Sequence, residues 1–304
     1  MGRSRLFRVV SALVVLAALA GYLMVQYITG RTVAEGCTVT SADGSSGKGR
    51  TYRMSTEQAS NAATISAVGT ARGLPERAVT IALATALQES GLRNIEHGDR
   101  DSLGLFQQRP SQGWGTEEQI LDPVYSAGEF YRHLAKVPGY SRLPLTVAAQ
   151  RVQRSGFPQA YAKHEPDAAL LSAALTGRSP TSLNCTPPRT TAVKADPATV
   201  RAELVRAFGK DVLPAQESSA EDGKGAAGAP ATGVVSIPVR AADAAGDDDA
   251  ARRGWELAHW AVAQSEKLGL QEVAYAGRVW EAGVGWRTDG KESATPQVRL
   301  RLVH

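Results

Sequence analysis

The hydropathy pattern opens with a long uncharged run. No charged residue lies between Val9 and Thr29, a length that spans a bilayer as a helix. Arginines precede this run at Arg3, Arg5 and Arg8, which predicts a cytoplasmic N-terminus and export of the rest. We therefore predict a cytoplasmic tip and transmembrane anchor over 1–30 and a polar spacer over 31–50. The alternative is a cleaved signal peptide, which would leave the protein secreted.

Helical periodicity dominates the next segment, 51–177. Ser55 with Gln58 forms a capping box, Pro75 begins a second helix, and Asp122-Pro123 begins a later one. Apolar and polar residues do not alternate convincingly at a period of two in this segment, as they would in a half-buried strand. The sequence predicts an all-α domain here.

The second half of the chain changes character at about residue 178. Residues 178–250 are rich in proline, alanine and glycine and predict a disordered linker, except for an amphipathic helix over Pro197–Phe208. Residues 251–304 predict a small α+β module: a helix from Trp255, a hairpin through Ala276-Gly277, and an alternating last strand.

The net charge and the sequence motifs restrict the classes of function that the protein can have. The net charge of +4 is spread along the chain without a basic, aromatic-rich stripe, which argues against nucleic acid and fits an anionic wall or membrane surface. Cofactor and metal motifs are absent from the sequence, and His259, alone on a predicted helix, indicates a packed or surface histidine. Cys37 and Cys185 are the only two cysteines, bracket the helical domain, and predict a disulfide outside the membrane.

Glu89 is the candidate acid. It follows Ala82 and Ala86 on one helix face, and Gly91 ends that helix. Packing of this face partly desolvates the carboxyl group, which suits a general acid. The loop that follows contains Gln107, Gln108, Gln112 and Trp114, which suit sugar binding.

Two short motifs carry a family resemblance. Glu89-Ser90 followed by Gly104-Leu105-Phe106-Gln107 resembles the paired motifs of lysozyme-like lytic transglycosylases, over roughly residues 55–175. The resemblance implies a lysozyme-like fold, no cofactor, and cleavage of the β-1,4 MurNAc–GlcNAc bond of peptidoglycan with Glu89 as sole acid/base. The family's third motif, Ala-Tyr-Asn, is replaced by Ala149-Gln150-Arg151, and Tyr161 is the candidate for the missing phenol. The predicted substrate-binding residues are Ser90, Gly104, Leu105, Phe106, Gln107, Gln108, Trp114, Gln150 and Tyr161.

The C-terminal segment resembles the small modules of secreted actinobacterial wall hydrolases. It contains four of the five tryptophans. Some relatives carry a His-x-His metal signature in the last strand, where this chain has Gln297-Val298-Arg299, so a zinc peptidase is not predicted.

Three functional readings remain open. A hydrolase with inversion needs a second carboxylate about 6.5–9.5 Å from the acid, for which Asp99 and Asp101 are the candidates. Those aspartates also suit ordinary turn chemistry, which favours the lytic reaction. The alternative to an enzyme is a non-catalytic peptidoglycan-binding anchor or a scaffold of a cell-envelope assembly, whose protein partners the sequence does not name.

Overall fold

Helices are the main secondary structure of the described residues, with short β-strands before, between and after them. A computed structural model describes residues 35–41, 49–157, 159–188, 195–214, 233–239, 247–289 and 296–303. The described helices are α1 (Thr56–Ala71), α2 (Glu76–Glu89), α3 (Glu117–Ile120), α4 (Pro123–Leu134), α5 (Leu145–Gln153), α6 (Glu165–Leu175), α7 (Pro197–Phe208), α8 (Asp247–Ala263) and α9 (Ser265–Leu268). The described strands are β1 (Gly36–Thr40), β2 (Thr51–Met54), β3 (Leu183–Thr186), β4 (Val234–Pro238), β5 (Leu270–Tyr275), β6 (Arg278–Glu281), β7 (Gly285–Thr288) and β8 (Gln297–Leu302).

The strands form two antiparallel sheets. The first has the order β2-β1-β3, and the second has the order β4-β8-β5-β6-β7. In the first sheet Cys37 lies directly opposite Cys185, and the two form the predicted disulfide. In the second sheet Ala276 and Gly277 both have positive φ, so they form the tight turn of the predicted β5–β6 hairpin.

Helix ends follow the local signals in the sequence. The Ser55 hydroxyl accepts the Gln58 backbone N–H, and the Gln58 side chain accepts the Ser55 N–H, which confirms the predicted capping box of α1. The Asp122 carboxylate likewise accepts the Val124 N–H at the start of α4. The amphipathic helix predicted over Pro197–Phe208 is α7, with Val200, Leu204 and Phe208 buried.

The all-α prediction for 51–177 and the lysozyme-like fold implied by the resemblance are wrong. The fold is mixed α/β, because β2 lies inside this segment and pairs with β1, which pairs in turn with β3 beyond α6. β1 alternates, with Cys37 and Val39 buried, but it is only five residues long, and threonines occupy its exposed positions. The strand's partner is distant in sequence, so local periodicity could not reveal the pairing.

The prediction of a disordered linker over 178–250 is also wrong in the described residues. Besides α7, which was the predicted exception, β3, β4 and the start of α8 lie there. Val235 and Ile237 of β4 are fully buried, since β8 pairs with that strand. Local composition missed this segment because the apolar surface that orders it belongs to other parts of the chain.

The C-terminal elements pack directly on helices of the segment that contains the candidate site. α8 contacts α1, α6, β3, β5 and β8. The indole N–H groups of Trp280 and Trp286 donate to the Asn184 side chain at 2.8 Å and the Leu183 carbonyl at 2.7 Å, respectively. The described residues from Gly36 onward share one hydrophobic core.

The described residues include no helix that is both long and apolar enough to cross a bilayer. The predicted anchor, Val9–Thr29, lies outside the described residues.

Candidate active site

Glu89 is the last residue of α2, half-buried at the end of a fully buried stripe. Ala82 and Ala86 have no exposed surface, so the helix is fixed against the core up to its last turn. The chain then leaves the helix at Gly91, whose φ is 65°. This ending places the carboxyl group at the junction between core and loop.

Tyr161 lies against this carboxyl group. A 3-10 turn, Ala160–His164, packs on α2, and the Tyr161 hydroxyl donates a hydrogen bond of 2.6 Å to Glu89 Oε1. Burial, together with the hydrogen bond to Glu89, raises the pKa of Tyr161 well above its usual range. The phenol therefore keeps its proton and acts as a donor to Glu89.

Ser90 joins the end of α2 to the second motif. Its hydroxyl donates to the Leu105 carbonyl at 2.8 Å. Leu103 and Gln108 close the intervening loop by exchanging backbone hydrogen bonds of 2.9 and 3.0 Å. Gly104 has a φ of 72°, and a Cβ there would lie 2.8 Å from the Ile120 carbonyl oxygen, so the loop requires glycine at this position.

Several predicted substrate-binding side chains of this loop are in the core. Leu105 and Phe106 have no exposed surface, and Phe106 stacks on Phe130 with ring centroids 4.6 Å apart. Gln108 is 1% exposed, and its amide donates to the Ser126 carbonyl at 3.0 Å. These three residues are therefore part of the support of the loop and present almost no surface to a ligand.

Gln107 and Trp114 are half-buried members of the predicted set, as are Ser90 and Gln150. Gln107 has a positive φ of 49°, and its side-chain oxygen packs over Gly98, where an added Cβ would lie 1.9 Å away. Trp114 stacks on His133 with ring centroids 4.2 Å apart. Both residues line a cavity of about 300 Å³ whose wall does not include Glu89.

The two candidate second carboxylates differ in their surroundings. Asp101 accepts hydrogen bonds from Arg109 Nε at 2.6 Å on one oxygen and from the Ser111 backbone N–H at 2.9 Å on the other. The hydrogen bonds from Ser111, then that from Arg109, hold the pKa of Asp101 well below its usual range. Asp99 is exposed. Asp101 thus has the role of a turn anchor.

Gln150, at the position of the missing motif, supports the path to Tyr161. Its amide donates to the Ser155 carbonyl at 2.8 Å, and its buried side-chain oxygen has no partner among the described residues. This hydrogen bond fixes the chain that leads from α5 to the 3-10 turn.

Two contacts around the site were not predicted. His164 Nε2 lies 3.1 Å from Gln88 Oε1, beside the acid, and the Gln153 amide donates to the Phe106 carbonyl at 2.7 Å. Burial, followed by the charge of Lys163, lowers the pKa of His164. His164 follows Tyr161 at helical spacing, which is the one signal that could have suggested it.

No protein-family model and no curated protein sequence matches the chain. The functional assignment therefore depends on the side-chain geometry and on the two motifs. In the part of the chain that the structure describes, no group of histidine, cysteine, aspartate and glutamate could hold a metal ion.

Proposed function

We propose that the protein cleaves the β-1,4 bond between MurNAc and GlcNAc in peptidoglycan as a lytic transglycosylase. The observation that carries the proposal is the hydrogen bond from Tyr161 to Glu89. The family's Ala-Tyr-Asn motif has no match in this sequence, but the hydroxyl of another tyrosine, Tyr161, contacts the acid. The Ser90–Leu105 hydrogen bond joins the two motifs around the same acid.

The geometry supports one carboxyl group acting as acid and then as base. Tyr161 holds Glu89 Oε1, and no described residue hydrogen-bonds Oε2. In the proposed reaction, Glu89 gives its proton to the glycosidic oxygen as the bond to C1 of MurNAc breaks. The resulting carboxylate then removes the proton of the C6 hydroxyl, whose oxygen bonds to C1 and gives a 1,6-anhydro end.

Asp101 favours this route over hydrolysis. Each of its oxygens accepts a hydrogen bond, one from Arg109 and one from Ser111, and these bonds orient the carboxylate towards its own loop. Its low pKa also makes it a weak general base.

The cellular location belongs to the same proposal. Peptidoglycan lies outside the membrane, where disulfides persist, and the Cys37–Cys185 disulfide fits that compartment. We propose a single-pass anchor at the N-terminus with the rest of the chain extracytoplasmic.

The deciding experiment is Glu89→Gln in the full chain, assayed on purified peptidoglycan by mass spectrometry of the released fragments. The variant keeps shape and hydrogen bonding but cannot transfer the proton, so release should fall by about 10²–10⁴-fold. The parent should release anhydro ends. Asp99→Asn, an exposed carboxylate changed in the same way, should keep the parent's rate.

Two other results of this assay would contradict the proposal. Reducing ends in the products, with Asp101→Asn as inactive as Glu89→Gln, would make the enzyme a hydrolase. Equal cleavage by Glu89→Gln and the parent would refute the assigned role of Glu89.

A non-catalytic glycan-binding anchor is the second candidate. It is favoured by one observation: the cavity that contains Gln107 and Trp114 does not include Glu89. Binding of peptidoglycan by the parent without any release of fragments would establish this function instead.

A further inference from the structure

A positively charged cavity lies on the loop that carries the second motif. Its volume is about 300 Å³. The loop contributes Gln107 and Arg109, the chain after it contributes Trp114, α4 contributes His133, and the end of α5 contributes Arg151 and Arg154.

The arginines are not equivalent. Arg109 is paired with Asp101 at 2.6 Å. In contrast, no carboxylate of the described residues forms an ion pair with Arg151 or Arg154, and none lines the cavity. A cationic side chain near the C-terminus of a helix interacts favourably with the helix dipole, and this accounts for one arginine at the end of α5. Arg151 and Arg154 are both exposed on one cavity wall, so their guanidinium groups are accessible donors for a bound anion.

The rest of the wall suits a sugar. Trp114 and His133 form a stacked ring pair with an interplanar angle of 30°, which provides a flat, largely apolar surface. Burial, followed by the charges of Arg132 and Lys136, lowers the pKa of His133, so this ring is neutral at pH 7. Gln107 adds an amide that can both donate and accept hydrogen bonds.

The loop between Gly104 and Gln107 borders both this cavity and the acid. The Leu105 carbonyl accepts from Ser90, next to Glu89, and the following carbonyl, of Phe106, accepts from Gln153, which lines the cavity. The two sites are thus attached to successive peptide groups of one rigid loop.

We propose that this cavity is a subsite for an acidic sugar, in which Arg151 and Arg154 bind a carboxylate attached to the glycan strand itself. Gln107 and the Trp114–His133 ring pair contact the body of that sugar. The inference rests on the proposed function, because it takes the glycan of that reaction as the ligand. It adds that the strand is selected by charge as well as by shape.

The test is equilibrium binding by calorimetry with the full chain carrying Glu89→Gln, which prevents turnover. The probes are peptide-free peptidoglycan glycan strands, the same strands with their carboxylates amidated, and a neutral N-acetylglucosamine oligomer. We expect the acidic strands to bind about tenfold or more tightly than either neutral probe.

Substitutions of arginine test whether this cavity causes the preference for acidic strands. Arg151→Gln with Arg154→Gln should remove the preference for acidic strands and leave binding of the neutral oligomer unchanged. The corresponding lysine pair keeps the charge and should retain part of the preference. Arg142→Gln with Arg201→Gln, which changes net charge equally outside the cavity, should have no effect.

Three results would overturn the subsite: equal binding of acidic and neutral strands, an unchanged preference in the Arg151/Arg154 glutamine pair, or a preference that requires peptide stems on the strands. A cleavage assay of the parent separates this failure from that of the proposed function. If the parent cleaves peptidoglycan but acidic strands bind no more tightly than neutral ones, the subsite alone is refuted. If acidic strands bind more tightly but the parent does not cleave peptidoglycan, the proposed reaction alone is refuted.

Discussion

At the scale of single residues, the proposed site consists of one carboxyl group and the groups that orient it. Glu89 is restrained by the Tyr161 hydroxyl on one oxygen, and Ser90 fixes the adjacent loop. A half-buried carboxyl group with one engaged oxygen has few rotamers left, so the other oxygen keeps a defined direction. Orientation of this kind is what proton transfer to a bound glycan requires.

Tyr161→Phe tests that orientation. The substitution removes the hydroxyl and keeps the buried ring. A hydrogen bond to a charged group contributes about 1.5–3 kcal/mol, so we expect turnover of peptidoglycan to fall by about 10–100-fold. The buried hydroxyl also contributes to stability, so turnover is compared per folded protein, at a temperature where the parent and both variants stay folded.

Tyr131→Phe is the matched control. This tyrosine is also buried, but its hydroxyl donates to the Ile65 carbonyl at 3.0 Å. It should lose about 1 kcal/mol of stability without loss of turnover. A Tyr161→Phe variant with the parent's turnover would contradict the orienting role.

Gly98→Ala tests the position of Gln107. The added Cβ would lie 1.9 Å from the Gln107 side-chain oxygen and 2.9 Å from the Ser102 carbonyl oxygen, so the amide has to move and the loop has to adjust slightly. We expect weaker glycan binding, measured by calorimetry, while the circular dichroism spectrum stays that of the parent. Gly156→Ala, where a Cβ meets nothing within 4 Å, should bind as the parent does.

At the scale of elements, the first sheet closes the helical part of the chain. β1 is its central strand and pairs with β2 on one side and β3 on the other. β3 is reached only after the helices α1 to α6 have been traversed. The disulfide therefore joins the two ends of the segment that carries Glu89 and Tyr161.

We expect the disulfide to stabilise this closure strongly. The cysteines are separated by 148 residues in sequence. In the chain-entropy description, cross-linking a loop of that length contributes about 4–5 kcal/mol to the free energy of unfolding. Urea unfolding with and without reductant should show a loss of that order. Cys37→Ala with Cys185→Ala should show the same loss and no further response to reductant, and an equal midpoint in all samples would contradict the prediction.

At the scale of the whole molecule, α8 connects the two sheets to the helices. His259 of this helix is fully buried, and its Nδ1–H donates to the Ala174 carbonyl at 2.7 Å. Nε2 has no partner among the described residues, and Trp255 and Trp286 lie beside the ring. A protonated imidazole here would be a buried cation without a counter-ion.

This histidine predicts acid sensitivity. Burial lowers the pKa of His259 from 6.5 to about 4 in the folded protein, although the hydrogen bond to Ala174 opposes the shift. Below pH 6.5 the unfolded chain therefore binds a proton that the folded chain does not, and stability falls as the pH falls towards 4. The loss between about pH 7.5 and about pH 5 should be on the order of 2 kcal/mol.

Urea unfolding at the two pH values measures this loss. His259→Gln keeps a donor for Ala174 and cannot titrate, so it should remove most of the pH dependence. His97→Gln, an exposed histidine, should keep it. Equal pH dependence in the parent and in His259→Gln would contradict the prediction.

Local signals were enough for much of this structure. The caps at Ser55 and Asp122, the helix α7 and the β5–β6 turn each depend on a few neighbouring residues, and each was predicted from them. Glu89 and its loop were predicted as the site in the same way, from a helix face and two short motifs, and that assignment stays a prediction. Such features are readable because their main interactions lie within a few residues along the chain.

The pairings between distant segments were decided only in the tertiary structure. β1 has the composition of a spacer and β4 that of a linker, and they become strands because β3 and β8 offer them hydrogen bonds and a core. Tyr161 contacts Glu89, 72 residues away in sequence, and the packing of α5 brings Arg151 and Arg154 to the cavity that Gln107 also lines. The free energy of such contacts comes from surface buried jointly by segments far apart in the chain, so no single segment records it.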